Sequence, residues 1–194
     1  MERNTNRLLE LTHQLLDFRK IESAGFKLSL TPVVVQEFLM ERYQRFKTLS
    51  GQKNVHVELR LAKVPVTIMA DWDAIQKITD NLLYNAISYS SSKVVVTMET
   101  PTPGSEILQV VFCNDGPAIP ENMNEQIFEP FFRLQGSANK TGAGIGLSLA
   151  RSLARLHHGN VTLLASTQGS TCFAWTIATN LKPELVNLPK PSLT

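Results

Sequence analysis

Three short runs in this sequence concentrate the residue types that handle a charged ligand. The first, Asp80-Asn81-Leu82-Leu83-Tyr84-Asn85-Ala86-Ile87-Ser88-Tyr89, places Asn81, Asn85 and Ser88 at i, i+4 and i+7. That spacing is one polar stripe of a helix whose opposite side holds Leu83 and Ile87. Amide oxygens on such a stripe ligate a hard cation beside a phosphate; a merely solvated helix face carries Asn and Ser as well. The second run is Asn114-Asp115-Gly116-Pro117-Ala118-Ile119-Pro120, and the third, Gly142-Ala143-Gly144-Ile145-Gly146-Leu147, is a glycine-rich turn opening into a helix. Glycines let backbone approach a phosphate, while the N–H groups and positive dipole of a first helical turn receive its charge; helix starts also carry glycine for packing alone. No Lys-Ser/Thr follows these glycines and no strand precedes them, which excludes the Walker phosphate loop and the dinucleotide fingerprint.

Hydrophobic periods mark the elements that must hold these runs in place. Leu8, Leu11, Leu15 and Phe18 form a helical seam ending near Ser23-Ala24-Gly25, either a satellite helix or, as the better reading, one arm of an intermolecular bundle. Phe26, Leu28 and Leu30 alternate as a strand before a Thr31-Pro32 turn, and Val35, Phe38, Leu39, Arg42, Phe46 and Leu49 trace an amphipathic helix to Gly51. Residues 55–61 read as a half-buried strand with His56 toward solvent, and 66–69 as another. Asp71 is the N-cap of a helix that turns Trp72, Ile75, Ile78, Leu82 and Ile87 inward. Strands at 94–98 and 107–112 flank the Pro101-Thr102-Pro103-Gly104 turn of an antiparallel hairpin. Between Asn114 and Thr141 both periods fade, and a loop that long in a compact domain is usually functional. A helix through Ile145, Leu149, Leu153 and Leu156 ends at Gly159, where a cationic His157-His158 pair suits the dipole. Strands around 161–164 and 173–177 follow, and the proline-bearing end reads as a linker.

Composition bounds the function classes. The 194 residues, 43% hydrophobic and 19% charged, fit one globular domain with an appendage and exclude fibres and wholesale disorder. A net charge of +2 does not advertise a nucleic-acid or anionic-membrane surface. No run reaches a membrane span. Cys113 and Cys172 lack metal-ligand spacing, and reduced thiols in the cytoplasm fit them better than a disulfide scaffold, with a buried pair left open.

Five motifs occur in one order: Asn81-Leu-Leu-x-Asn85-Ala, Asn114-x-Gly116-x-Ala118-Ile119, Phe128-Glu129-Pro130-Phe131-Phe132-Arg133, Gly142-x-Gly144-x-Gly146-Leu147, and Gly169-Ser170-Thr171-Cys172-Phe173. Together they resemble the ATP-binding domain of sensor histidine kinases, the family that shares its nucleotide fold with gyrase B, the ninety-kilodalton heat-shock chaperone and MutL. Residues 7–23 look like the second helix of that family's dimerisation domain, as in hybrid two-component proteins. The resemblance implies an α/β two-layer sandwich of the Bergerat type, with a mixed sheet and a preceding truncated dimerisation helix. It divides the chain into 1–24 (dimerisation helix), 25–180 (ATP-binding domain) and 181–194 (tail).

The resemblance also implies the ligands. ATP and Mg²⁺ are the expected pair, with Asn85 as metal ligand, Asn81 orienting water or a phosphate, and Tyr89 flanking the nucleotide. Asn114, Asp115, Gly116, Ala118 and Thr171 belong to the base end. Arg133, with Lys140 in the 120–141 lid, approaches the phosphates, and Gly142, Gly144, Gly146 and Leu147 form their cradle. Three positions depart from the family pattern: Asn114 stands where Asp is usual, Ala118 replaces a glycine, and Ser88 replaces a phosphate-facing lysine. None of His13, His56, His157 and His158 lies in an acceptor motif. The implied reaction is therefore γ-phosphoryl transfer to a histidine on an upstream helix of a homodimer, serving a response-regulator receiver domain. The chain is then a cytoplasmic fragment of an inner-membrane sensor, without nucleic-acid or membrane contact of its own. A nucleotide-gated module without phosphotransfer and a non-nucleotide scaffold remain alternatives.

Overall fold

The structure is a computed structural model that describes residues 26–99, 104–134, 143–167 and 169–181, together with Thr12, Leu15, Leu16, Phe18, Arg19 and Ile21. The seam residues Leu8 and Leu11, His13 and the tail from 182 onward lie outside the described residues, while Phe18 and Ile21 pack against the core.

Strand β1 (Leu30–Val34) pairs antiparallel with β3 (Thr67–Asp71), so Thr31 and Pro32 lie inside a strand rather than at its end. Proline fits there because β1 pairs on one side only and its missing N–H interrupts no ladder. Helix α1 (Val35–Gln52) turns Val35, Phe38, Leu39 and Arg42 inward, and β2 (His56–Arg60) follows. Helix α2 (Trp72–Tyr89) starts at the expected cap: Asp71 Oδ1 accepts from the Ala74 N–H at 2.9 Å. Trp72 is not buried as its period suggested. As the first helical residue it stays 37% exposed, its ring edge-on to Phe38 with centroids 5.2 Å apart.

The remaining strands are β4 (Lys93–Met98), β5 (Ile107–Asn114), β6 (Asn160–Thr167) and β7 (Ser170–Ala178), with α3 (Gly146–Leu156) between β5 and β6. Short 3-10 turns at Glu121–Met123 and Gln126–Phe128 occupy part of the aperiodic stretch. The larger sheet runs β2-β4-β5-β7-β6, with β2 and β4 parallel and every other pair antiparallel. Along β5, Leu108, Val110, Phe112 and Asn114 are buried while Gln109 and Cys113 are half-exposed. The same alternation in β7 buries Thr171, Phe173, Trp175 and Ile177. Helices thus cover one face of a mixed sheet, the expected two-layer α/β sandwich. Trp175, Phe112, Ile75, Ile78, Leu82, Leu149 and Leu153 fill the space between the layers.

Two local readings change. Cys113 and Cys172 are register partners in β5 and β7, with Cα atoms 4.1 Å apart, and form a disulfide on the open face of the sheet. The sequence shows two distant cysteines; only the strand pairing makes them neighbours. His157, expected to be cationic, is fully buried and neutral: Nδ1 donates to the Leu153 carbonyl at 2.9 Å, and Nε2 accepts from the Asp71 N–H at 3.1 Å. Burial pushes its pKa below the ordinary value.

Candidate functional site

The second half of α2, the end of β5, and the turn leading into α3 converge at one end of the sandwich. On α2, Asn81 donates from Nδ2 to the Lys77 carbonyl at 2.8 Å, which leaves its Oδ1 beside the first turn of α3. A Cβ on Gly146 would lie 2.6 Å from that oxygen, so only glycine lets the two helices meet here. Asn85 is half-buried one turn further along the same stripe. Ser88 completes it, 5% exposed, with Lys53 Nζ donating to its Oγ at 3.2 Å. Tyr89 is half-buried at the helix end, its carbonyl oxygen facing Gly116.

Asn114 ends β5 opposite Thr171 of β7 and is 5% exposed. Among the described residues its Nδ2 has no hydrogen-bond partner. A Cβ on Gly116 would fall 2.5 Å from that nitrogen and inside contact with the Tyr89 carbonyl oxygen, so the chain passes here with no room for a side chain. Asp115 points elsewhere. Its carboxylate accepts from Ser90 Oγ and Ser92 Oγ at 2.6 Å each and from the Ser91 and Ser92 N–H groups at 2.9 and 3.0 Å. Burial opposes its ionisation, but these hydrogen bonds outweigh it and hold the carboxyl far below the usual range. The structure therefore separates two neighbours that the sequence analysis grouped: Asn114 lies on the helix side of the sheet, and Asp115 closes the α2–β4 turn.

Thr171, 3% exposed, donates to the Pro117 carbonyl at 3.2 Å and lies 3.1 Å from Ser166 Oγ, which accepts from the Ile119 N–H at 2.6 Å. These bonds tie the loop around the exposed Ala118 to β6 and β7.

Backbone contacts govern the opposite side. Gly144, at φ +74°, accepts at its carbonyl from the Phe131 N–H at 2.9 Å, and a Cβ on it would lie 2.6 Å from the Phe132 carbonyl oxygen. Phe131 is 61% exposed, whereas Phe128 is buried edge-on to Phe173. The Arg151 guanidinium lies 3.2 Å above the Phe128 ring, pairs with Glu125 at 2.7 Å and donates from Nε to the Val161 carbonyl at 2.8 Å. Arg133 is exposed, and Leu147 is half-buried against the core. Lys140 and Gly142 lie outside the described residues.

Sequence reasoning missed Lys53, Ser166 and Arg151. Lys53 and Ser166 carry no local signal, since each reaches the site only through packing between distant segments. Arg151 had a faint one, a cation at the spacing of Ser148 on the inward face of α3.

The architecture has independent counterparts. Residues 70–180 match the family described as histidine kinase-, DNA gyrase B-, and HSP90-like ATPase. The chain belongs to this family. Among its relatives, the adaptive-response sensory kinase SasA of Crocosphaera subtropica is 31% identical over 90% of this chain and 46% of its own length. The sensor protein KdpD of Escherichia coli is 28% identical over 94% of this chain and 20% of its own length. This chain therefore spans less than half the length of these curated relatives. The catalytic domain of histidine kinase ThkA superposes with a TM-score of 0.69 at 26% identity, covering 81% of this chain and 99% of ThkA. Full-length ShkA in complex with AMPPNP gives 0.80 at 23% identity over 93% of this chain and 38% of ShkA, a likeness of fold.

Proposed function

We propose that this chain binds MgATP as the catalytic domain of a histidine kinase and directs the γ-phosphoryl to a histidine outside this sequence. The observation that carries the reading is Asn114: a buried amide with an unpartnered Nδ2, beside a glycine that leaves no room for a side chain. A buried amide nitrogen without a partner is costly unless a ligand supplies the acceptor. Adenine fits, because an Asn amide donates to a ring nitrogen and accepts from the exocyclic amino group.

The other residues divide by position. Tyr89 and the loop held by Thr171, around Gly116 and Ala118, flank the base, and Asp115 fixes the turn beside it. Asn85, on the stripe it shares with Asn81, would hold Mg²⁺ through its amide oxygen beside the phosphates. Bound Mg²⁺ would neutralise phosphate charge. Gly144, Gly146 and Leu147 would cradle the phosphates with Gly142, and Arg133 and Lys140 would approach them from the lid. This domain needs to supply little covalent chemistry, since phosphoryl transfer depends on positioning and on charge stabilisation. The fuller setting proposed is a two-component homodimer in an inner-membrane sensor, with the upstream helix bearing the acceptor and a receiver domain as recipient. Among the described residues no helix is long and apolar enough to cross a membrane.

Calorimetric titration with a non-hydrolysable ATP analogue, with and without Mg²⁺, tests the binding claim. Saturable, metal-dependent heat is expected; none at millimolar analogue overturns it and leaves a scaffold. For transfer, a chain extended through the upstream acceptor helix should acquire acid-labile phosphate from ATP while this chain alone does not. Label on His13 here would refute the assignment of that helix, and binding without transfer in the extended chain would leave a nucleotide-gated module.

A further inference from the structure

We infer that Lys53 is a phosphate-facing cation of this nucleotide site, supplied from the end of α1 because α2 offers none at position 88. The inference rests on the MgATP reading. The polar stripe of α2 runs from Asn81 through Asn85 to Ser88, and Ser88 ends it without a charge. Its hydroxyl is nevertheless covered, by Lys53 Nζ at 3.2 Å. At 1.5 Å rise per residue, that contact places the ammonium within about one helical turn of Asn85.

Backbone geometry brings Lys53 there. It is the first residue beyond α1, where the Val55 N–H donates to the Ser50 carbonyl at 2.9 Å and closes the helix end. The next N–H, of His56, donates to the Ser92 carbonyl at 2.7 Å and docks this turn against the α2–β4 turn. Asp115 holds that second turn in shape through Ser90, Ser91 and Ser92. The lysine is thus aimed along the last turn of α2 by two turns bonded to each other.

Its charge is also uncommitted. Among the described residues Lys53 makes no ion pair, and its polar contacts are the Ser88 hydroxyl and the Tyr84 ring, 5.9 Å from the ammonium. An ammonium has three N–H donors, and a single hydroxyl and a ring face leave donor capacity and full charge for an anion. Lys93, by contrast, pairs with Glu58 at 2.9 Å.

The test is a charge relocation. Titrations of the wild-type chain, Lys53→Met and the double variant Lys53→Met/Ser88→Lys are run with a non-hydrolysable ATP analogue plus Mg²⁺ and, separately, with adenosine. Lys53→Met should weaken the ATP analogue about five- to tenfold, as for one partly exposed charge-assisted contact. Adenosine affinity should not change, and the double variant should regain most of the loss. An unchanged affinity in Lys53→Met, equal losses for both ligands, or no recovery in the double variant overturns the assignment while wild-type binding keeps the MgATP reading intact. A wild-type chain that binds neither ligand removes both.

Discussion

The strand end of the site and its helix end are held by different bonds. Around Asn114, side chains do the fastening: Asp115 gathers Ser90, Ser91 and Ser92, while Thr171 and Ser166 secure the 117–119 loop to the sheet. Around Gly144 and Gly146, fastening comes from backbone passing close to backbone or to Asn81, made possible by missing side chains. A network of oriented side chains presets one geometry before ligand arrives. Glycine contacts permit close approach without fixing it as strongly. The difference teaches that the strand end is prebuilt, whereas the glycine turn rests on backbone that rearranges at lower cost.

The most severe way to break the comparison is within the strand end. Gly116→Val forces a side chain against the Tyr89 carbonyl and the Asn114 amide and should destabilise the fold by about 3 kcal/mol or more, read in urea unfolding. A near-neutral result would show that this end is not preset. Next in size, Asn85→Ala should abolish the Mg²⁺-dependent part of ATP-analogue binding, a loss of about tenfold or more. Retention of wild-type metal dependence would move the metal site elsewhere.

A finer cut separates the two neighbours at the strand end. Asn114→Ala should lower adenosine affinity by about tenfold with little change in stability. Asp115→Ala should do the reverse, costing about 1–2 kcal/mol in unfolding free energy with a smaller effect on adenosine. Matching effects would erase the distinction drawn between recognition and support.

The smallest effect concerns His157, buried where α3 ends against the start of α2, at the opposite ends of both helices from the site. Its folded pKa is depressed by burial, so below about pH 6.5 the unfolded chain takes up a proton that the folded chain refuses. Stability should therefore fall as pH drops from 6.5 toward the folded pKa, by at most about 1.4 kcal/mol per pH unit. His157→Gln should flatten that slope. Glu125, held low first by its hydrogen bond to Arg151, acts only below its ordinary 4.5 and does not interfere in this window.

Much of this was legible before any coordinates. The capping Asp71, the period of α2 and the order of the five motifs each depend on residues close in sequence, where local hydrogen bonding and side-chain spacing decide the outcome. The shift of β1 past Pro32 was not legible, because an edge strand tolerates proline only once its partner is known. Trp72 misled for a related reason: helical period predicts a face, but the first turn of a helix overhangs its neighbours.

The sequence by itself determined the element types, the glycines that crowded backbone requires, and the polar stripe Asn81-Asn85-Ser88, since all are properties of short stretches of chain. Only the tertiary structure decided that Cys113 meets Cys172, that His157 is neutral, that Asp115 turns away from Asn114, and that Lys53 reaches Ser88. Each of those outcomes depends on a contact between residues 23 to 86 positions apart. Burial and partner geometry, which set both charge state and side-chain direction, exist only after those segments have packed.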